Sequence, residues 1–289
     1  MHRARTTRLA ANLCTGAALA VLAIGARPIA STAQWVEPPG QGWASVTGYY
    51  QNTRDAYDIQ GDVNPFPGNG HAISMASFLT LALGIVDGID GWAQFSFQRL
   101  RFNDFAGRRT STGPGDTRLY LRGSPLRLLG IASPVAIRAG VKLPLGDFDV
   151  GSNIIPLGDG QRDWELMLEL GHSFYPSPVY AMGWLGYRWR DETDDGRDFG
   201  DERFFYTAVG GEAGPIGFKV GMEGWFGKTP VFFGLPAVGA EREMFRIHGS
   251  LLLHAGPGQV ELGTRVPLSG KNLPAGTDLV VGYFTRIGF

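Results

Sequence analysis

Residues 116–122 read Asp-Thr-Arg-Leu-Tyr-Leu-Arg, and this stretch decides the class of fold. In an extended chain Arg118 and Arg122 lie on one face, while Leu119 and Leu121 lie on the other. Only a period of two sorts the charges in this way, because a helix with 3.6 residues per turn would scatter them around its axis. A strand with one apolar and one charged face is typical of a transmembrane β-barrel, whose wall separates lipid from a lumen.

The same alternation recurs along the rest of the chain. In residues 135–143, for example, apolar side chains oppose Arg138 and Lys142. The pattern predicts twelve strands, at 43–53, 71–83, 91–102, 115–125, 134–145, 162–174, 179–190, 201–213, 216–226, 243–254, 259–267 and 278–289. Bacterial single-chain barrels have an even number of antiparallel strands. We therefore expect an all-β, transmembrane, antiparallel up-and-down β-barrel of about twelve strands.

The connections between the predicted strands alternate in length. The long ones are 54–70, 103–114, 146–161, 191–200, 227–242 and 268–277. Most of the others are tight turns, such as 175–178 and 214–215. Long outer loops and short periplasmic turns are the expected asymmetry of such barrels. Because lipid offers no partners to free backbone groups, we expect the sheet to be closed.

The N-terminus predicts export. Arg3, Arg5 and Arg8 precede an uncharged apolar run, and Ser31-Thr32-Ala33 supplies small residues for cleavage. We interpret residues 1–33 as a cleaved signal peptide and 34–289 as the barrel, since the apolar run is short for a retained membrane anchor. The expected location is the outer membrane of a Gram-negative bacterium.

Both ends of the chain carry further signals. The single cysteine, Cys14, lies within the predicted signal, so the mature chain cannot form a disulfide. Phe289 closes an amphipathic strand and resembles the terminal signal that barrel-insertion machinery reads. Outer-membrane lipid, lipopolysaccharide and that machinery are therefore the expected partners, together with a small-molecule solute.

Composition argues against several other classes of function. The formal net charge is −1, which does not provide the basic surface that nucleic acid requires. The spacing of the five histidines does not suggest a metal site, and we predict no cofactor. The acidic run 191–198 lacks the terminal Glu of an EF-hand and is interpreted as a solvated outer loop.

Several motifs in the middle of the chain resemble one family. They are Gly113-Pro114-Gly115-Asp116, the run 137–146, Gly158-Asp159-Gly160, Trp164-Glu165 and Gly186-Tyr187-Arg188. The chain looks like the outer-membrane family named for the MetA-pathway of phenol degradation, over roughly residues 40 to 289. The resemblance implies an outer-membrane channel that takes up aromatic or other hydrophobic compounds.

The inward faces of the predicted strands carry the candidate functional residues. The candidate lumen-lining residues are Arg118, Arg122, Arg138, Lys142, Glu165, Glu169, Arg188, Glu212, Lys219, Glu223, Arg246, Glu261, Arg265 and Arg286. They could select solutes along a water-filled path. They could instead form compensating pairs that brace the wall, and this second role is favoured as the main one. Twelve strands lie between the eight that side chains fill and the sixteen that leave a channel.

We expect passive passage of small solutes rather than catalysis. One alternative is a closed structural or adhesion barrel that acts through its outer loops. A less favoured one is a lipid hydrolase using His248 and Ser250, which share a face but point parallel rather than at each other. Aromatic residues near strand ends are expected to form girdles at the membrane interfaces. These are Trp43, Trp92, Trp164, Trp189 and Tyr283.

Overall fold

The computed structural model describes residues 36–131, 133–146 and 155–288. The predicted signal peptide and the terminal Phe289 lie outside the described residues, so both remain predictions.

The described residues form a closed antiparallel β-barrel. Its wall is built from β1 (Gln41–Thr53), β4 (His71–Val86), β5 (Ile89–Asp104), β6 (Gly107–Pro114), β7 (Thr117–Gly123), β8 (Val135–Leu143), β9 (Asp163–Ser173), β10 (Val179–Arg190), β12 (Glu202–Ala213), β13 (Ile216–Gly227), β16 (Glu243–Ala255), β17 (Gly258–Lys271) and β18 (Asp278–Gly288). β1 pairs with β18 on one side and with β4 on the other, which closes the sheet. β6 and β7 both pair with β5 and act as one interrupted strand, so the wall has the predicted twelve strands.

The outer surface of the barrel is apolar. Alternate residues on neighbouring strands, such as Leu119, Leu121 and Ile137, are large hydrophobic side chains exposed on this surface. Charged residues of the same strands, including Arg122 and Arg138, are buried inside. An apolar outer band with a polar interior is the architecture of outer-membrane barrels, which confirms the predicted fold and location.

Among the described residues, no helix is long and apolar enough to cross a membrane.

The outer connection predicted at 103–114 is a β-hairpin. Its residues continue β5 and return as β6, joined by a tight turn at Phe105-Ala106. The Ala106 backbone N–H donates to the Asp104 carboxylate. The alternation gave no signal here because both faces of the hairpin are polar, as in the sequence Arg108 to Thr112. A hairpin that extends beyond the membrane has no apolar face to bury.

The other long connections contain short elements. β2 (Asp55–Tyr57) pairs with β3 (Val63–Pro65) after the first wall strand. β11 (Arg197–Asp198), β14 (Val231–Phe232) and β15 (Leu235–Pro236) form a small sheet that joins two outer loops. At the opposite end of the barrel, a four-residue helix, Pro125–Leu128, lies between β7 and β8.

Candidate functional site

Two adjoining cavities lie inside the part of the barrel that the structure describes. The main cavity has a volume of about 940 Å³, and the inner cavity, nearer the short turns, has about 280 Å³. Predicted residues that line the main cavity are Arg118, Arg138, Lys142, Glu165, Arg188, Lys219, Glu223, Arg246, Glu261 and Arg265. Those that line the inner cavity are Arg122, Arg138, Glu169 and Arg286.

Glu212 lines neither cavity, contrary to expectation. It lies next to the last residue of β12, is exposed, and accepts a hydrogen bond from Gln259 Nε2 at 2.8 Å. The alternation of side chains predicts the face of β12 on which Glu212 lies. It does not predict how far Glu212 lies from the end of the barrel. Arg286 is also close to this rim, with a side chain 71% exposed.

A buried charge cluster lies at the end of the barrel that carries the short turns. Arg122 contacts Asp90 and Glu169, and Arg138 Nε lies 2.6 Å from Glu169 Oε1. The Arg122 and Arg138 guanidinium groups lie 4.7 and 4.5 Å from the ring centroid of Trp92. Sequence reasoning missed Asp90 because it started the third strand one residue later.

A second charge cluster occupies the outer half of the interior on β8, β9 and β10. Lys142 Nζ lies 2.8 Å from Asp163, and Arg188 Nε lies 2.7 Å from Glu165. Arg190 continues this cluster toward the outer loops. These pairs join neighbouring strands, so they hold the wall as well as line the cavity.

One outer connection folds into the barrel mouth. In the described part of this loop, Leu157 and Gln161 are buried, and Asp159 lines the main cavity. The Asp159 carboxylate contacts Arg190 and lies 2.8 Å from Arg242 Nη2. Burial alone would raise its pKa, but the guanidinium groups of Arg242 and Arg190 hold that pKa well below its usual range. The sequence predicted only a long outer loop at 146–161, because this segment has no period of two that would show the direction in which it folds.

A third charge cluster lies on the opposite wall. Arg246 Nε is 2.6 Å from Glu223 and its Nη1 is 2.9 Å from Asp278, while Arg265 contacts the same two carboxylates. The Arg265 guanidinium lies 3.8 Å from the Tyr49 ring centroid. Most predicted lumen charges are thus engaged in short ion pairs with neighbours.

Arg118 is the exception among the cations of the main cavity. Its Nε is 3.8 Å from Glu165, and its Nη1 is 3.4 Å from the Gln94 side-chain oxygen. Glu165 already accepts from Arg188 and from the Tyr120 hydroxyl at 2.7 Å each. Arg118 therefore retains donors that a solute in the cavity could use.

Aromatic rings form a stack on the cavity wall. Trp184 and Tyr206 are parallel with centroids 4.1 Å apart, and His248 stacks on Tyr206 at 4.9 Å. His248 crosses an intervening strand at Gly221, where a Cβ would lie 2.5 Å from His248 Nε2. A glycine here is what allows the imidazole to reach the tyrosine ring.

The girdle interpretation is wrong for two tryptophans. Trp43 and Trp92 line both cavities and pack edge to face at 4.9 Å inside the barrel. Trp164 and Trp189 are directly paired across β9 and β10 and are exposed on the outer surface, as a girdle requires. The alternation of the strand indicates the inward position of Trp92, because Trp92 shares a face with the polar Gln94 and not with the apolar Phe95.

The two cavities adjoin at the residues that line both, and we call this boundary the constriction. These residues are Trp43, Trp92, Arg138, Met182 and Trp184.

Beyond the constriction, the inner cavity is bounded by the segment before β1, in which Val36 and Glu37 are buried. The Glu37 backbone N–H donates to Asp90 at 2.9 Å, and Glu37 contacts Arg286.

His248 and Ser250 both line the main cavity but do not bond to each other in the described part of the chain. The Ser250 hydroxyl donates to Glu261 Oε1 at 2.6 Å. Within residues 36–131, 133–146 and 155–288, no group of three or more His, Cys, Asp or Glu side chains could hold a metal ion.

No protein-family model and no curated protein sequence matches the chain. Solved structures do match. An outer membrane channel from Pseudomonas putida F1 is 14% identical, with a TM-score of 0.69 over 90% of this chain and 100% of that chain. This likeness shows the shared fold alone.

Two weaker matches are 8% identical and have TM-scores below 0.5, and we infer nothing about this chain from them. The translocator domain of the autotransporter NalP from Neisseria meningitidis has a TM-score of 0.49 over 98% of both chains. CymD, a monoaromatic hydrocarbon channel, has a TM-score of 0.44 over 88% of this chain and 89% of its own.

Proposed function

We propose that this barrel is a passive outer-membrane channel for small solutes, with a preference for aromatic compounds. The main support for this proposal is the pair of adjoining cavities. Together they extend from Asp159 near the outer mouth to Glu37 at the inner end. Solute moves down its own gradient along this path, so no energy source is needed.

The aromatic preference rests on the constriction. Trp92 and Trp184 present ring surfaces at the boundary, and Arg138 lies within 5.5 Å of both ring centroids. A planar solute that stacks on a tryptophan replaces part of this contact, which lowers its barrier relative to an aliphatic solute of equal size. The family resemblance in the sequence implies the same class of cargo.

The proposal extends to the predicted lumen residues as determinants of ion selectivity. Cations lining the main cavity are Arg118, Arg138, Lys142, Arg188, Arg190, Lys219, Arg242, Arg246 and Arg265. Carboxylates lining it are Asp116, Asp159, Asp163, Glu165, Glu202, Glu223 and Glu261. Carboxylates outside these lists also pair with the cations, Glu169 with Arg138 and Asp278 with Arg246. Arg118, by contrast, has no carboxylate oxygen of the described residues closer than 3.8 Å, so we expect it to give the channel a preference for anions.

The second candidate is a closed barrel that acts through its outer loops. Two observations favour it: Asp159 is tied into the outer mouth, and the segment at Glu37 covers the inner cavity. A hydrolase is less well supported, because the Ser250 hydroxyl is engaged by Glu261 rather than by His248.

Solute flux tests the proposal directly. We would incorporate the refolded protein in liposomes and compare benzoate with cyclohexanecarboxylate, which match in charge and nearly in size. The expected result is faster entry of benzoate, and loss of that difference in Trp184→Leu. Trp189→Leu, on the outer face of the same strand, is the matched control and should keep the difference.

Two outcomes would count against the proposal. Equal entry of both acids would remove the aromatic preference. An absence of flux and conductance, from protein whose heat-modifiable migration shows that it is folded, would favour the closed barrel. Cleavage after Ala33 and recognition by insertion machinery remain separate proposals from the sequence.

A further inference from the structure

The lipid-facing side of β5 changes character partway along the strand. Phe95 and Phe97 are exposed on the outer surface, and they are followed on the same face by Arg99 and Arg101. The inner face of this strand is occupied by residues such as Trp92 and Gln94. The two arginines therefore point away from the lumen.

The β5–β6 hairpin adds a third cation to this face. Arg108 is directly paired with Asn103, and Arg101 with Thr110. Directly paired residues share a face, and diagonal neighbours such as Arg101 and Arg108 lie about 7–8 Å apart. Arg99, Arg101 and Arg108 thus form one outward patch, which we call the hairpin patch.

The hairpin patch has no counter-charge in the protein. Within the described residues, none of its three side chains makes an ion pair or a side-chain hydrogen bond, and Arg101 Nε is buried without a partner. The neighbouring Arg109, by contrast, faces the other way and is paired with Asp104. Like charges this close destabilise each other unless an anion lies between them.

The height of the patch matches the outer leaflet. With a rise of about 3.4 Å per residue and a tilt of about 40°, the run from Ile89 at the inner rim to Arg99 rises about 25 Å. The apolar band of an outer-membrane barrel is also about 25 Å tall. Arg99 lies at the upper edge of that band, and Arg101 and Arg108 lie just beyond it.

We propose that the hairpin patch binds the phosphate groups of a phosphorylated glycolipid in the outer leaflet. Guanidinium groups form bidentate, charge-assisted hydrogen bonds with phosphate oxygens. The hydroxyls of Thr110 and Thr112 lie on the same face, and Phe97 below them offers a surface for acyl chains. A bound lipid of this kind also supplies the missing counter-charge.

Native mass spectrometry of the detergent-purified barrel tests this site. The probes are lipid A and lipid A from which phosphate has been removed enzymatically. We expect the wild type to retain phosphorylated lipid A only. Each Arg→Gln change in the hairpin patch should weaken binding about tenfold, equivalent to about 1.4 kcal/mol, a size expected for a charge-assisted hydrogen bond.

The matched control is Arg203→Gln, which removes an exposed outward arginine from β12 and should leave binding unchanged. Equal affinity of the triple Arg99→Gln/Arg101→Gln/Arg108→Gln variant, or of dephosphorylated lipid A, would overturn the proposal. So would competition by inorganic phosphate alone at equal concentration, because the site would then take the free anion. The single Arg99→Gln and Arg108→Gln variants alter exposed side chains, so they answer the question if the triple variant does not fold.

Discussion

Arg122 donates from Nε to both carboxylate oxygens of Asp90, at 3.1 and 3.2 Å, although the Asp90 side chain is 0% exposed. Asp90 also accepts from the Glu37 backbone N–H and from Trp92 Nε1. One carboxylate therefore connects the wall, the constriction and the segment before β1. The positions of Arg122, Trp92 and the segment before β1 are therefore all held by Asp90.

We expect Asp90→Asn to destabilise the barrel by about 3 kcal/mol, the lower end of the range for breaking a buried ion pair, because Arg122 then keeps only the Glu169 carboxylate, 3.3 Å away. Urea unfolding in lipid vesicles would measure this loss. Asp87→Asn is the control, since Asp87 forms an ion pair with Arg127 but is 69% exposed, where such a pair contributes about 0–1 kcal/mol. Similar losses in both variants would show that burial does not decide the effect.

We expect the single-channel conductance to depend on pH in the acid range, because Asp159 holds the outer loop in the mouth through its charge. Its pKa in the folded protein is held well below the ordinary 3.8, mainly by Arg242 after the opposing effect of burial. The contact is therefore fully present above about pH 4 and is lost as the pH falls from there toward the lower folded value. We expect single-channel conductance to be the same at pH 7 and pH 5 and to rise in more acid solution.

Asp159→Asn separates this effect from the titration of other carboxylates. The variant should show the higher conductance already at pH 7, because Arg190 and Arg242 lose the charge that ties the loop to the mouth. A wild-type conductance in this variant at pH 7 would mean that the loop is held by other contacts, such as burial of Leu157.

The loosely held Arg118 predicts a change in selectivity without a change in folding. Its side chain is 24% exposed, and its nearest carboxylate oxygen is 3.8 Å away. Arg118→Gln should lower the anion preference, measured as the reversal potential in a salt gradient, while the unfolding midpoint stays within the range of surface substitutions. An unchanged reversal potential would assign the selectivity to the paired cations instead.

The sequence predicted which face of each wall strand points inward, but it did not predict the structure at the two ends of the barrel. Charges sort to one side of each strand because they are costly in lipid, so a period of two predicted the inward position of Arg138 and Glu165. That period does not report height, which is why Glu212 was expected in the lumen although it lies at the rim. Asp159 was missed for a related reason, since an irregular loop has no periodic signal for the direction in which it folds.

The segment before β1 predicts how the inner end opens. Gly84 faces this segment so closely that an added Cβ would lie 1.9 Å from the Pro38 carbonyl oxygen. Gly84→Ala should therefore displace residues 36–40 from the inner cavity and raise single-channel conductance, because Glu37 is then released from Asp90. Gly48→Ala is the matched control, since its Cβ would meet nothing closer than 3.7 Å. If both variants conduct like the wild type while remaining folded, the segment before β1 does not limit passage.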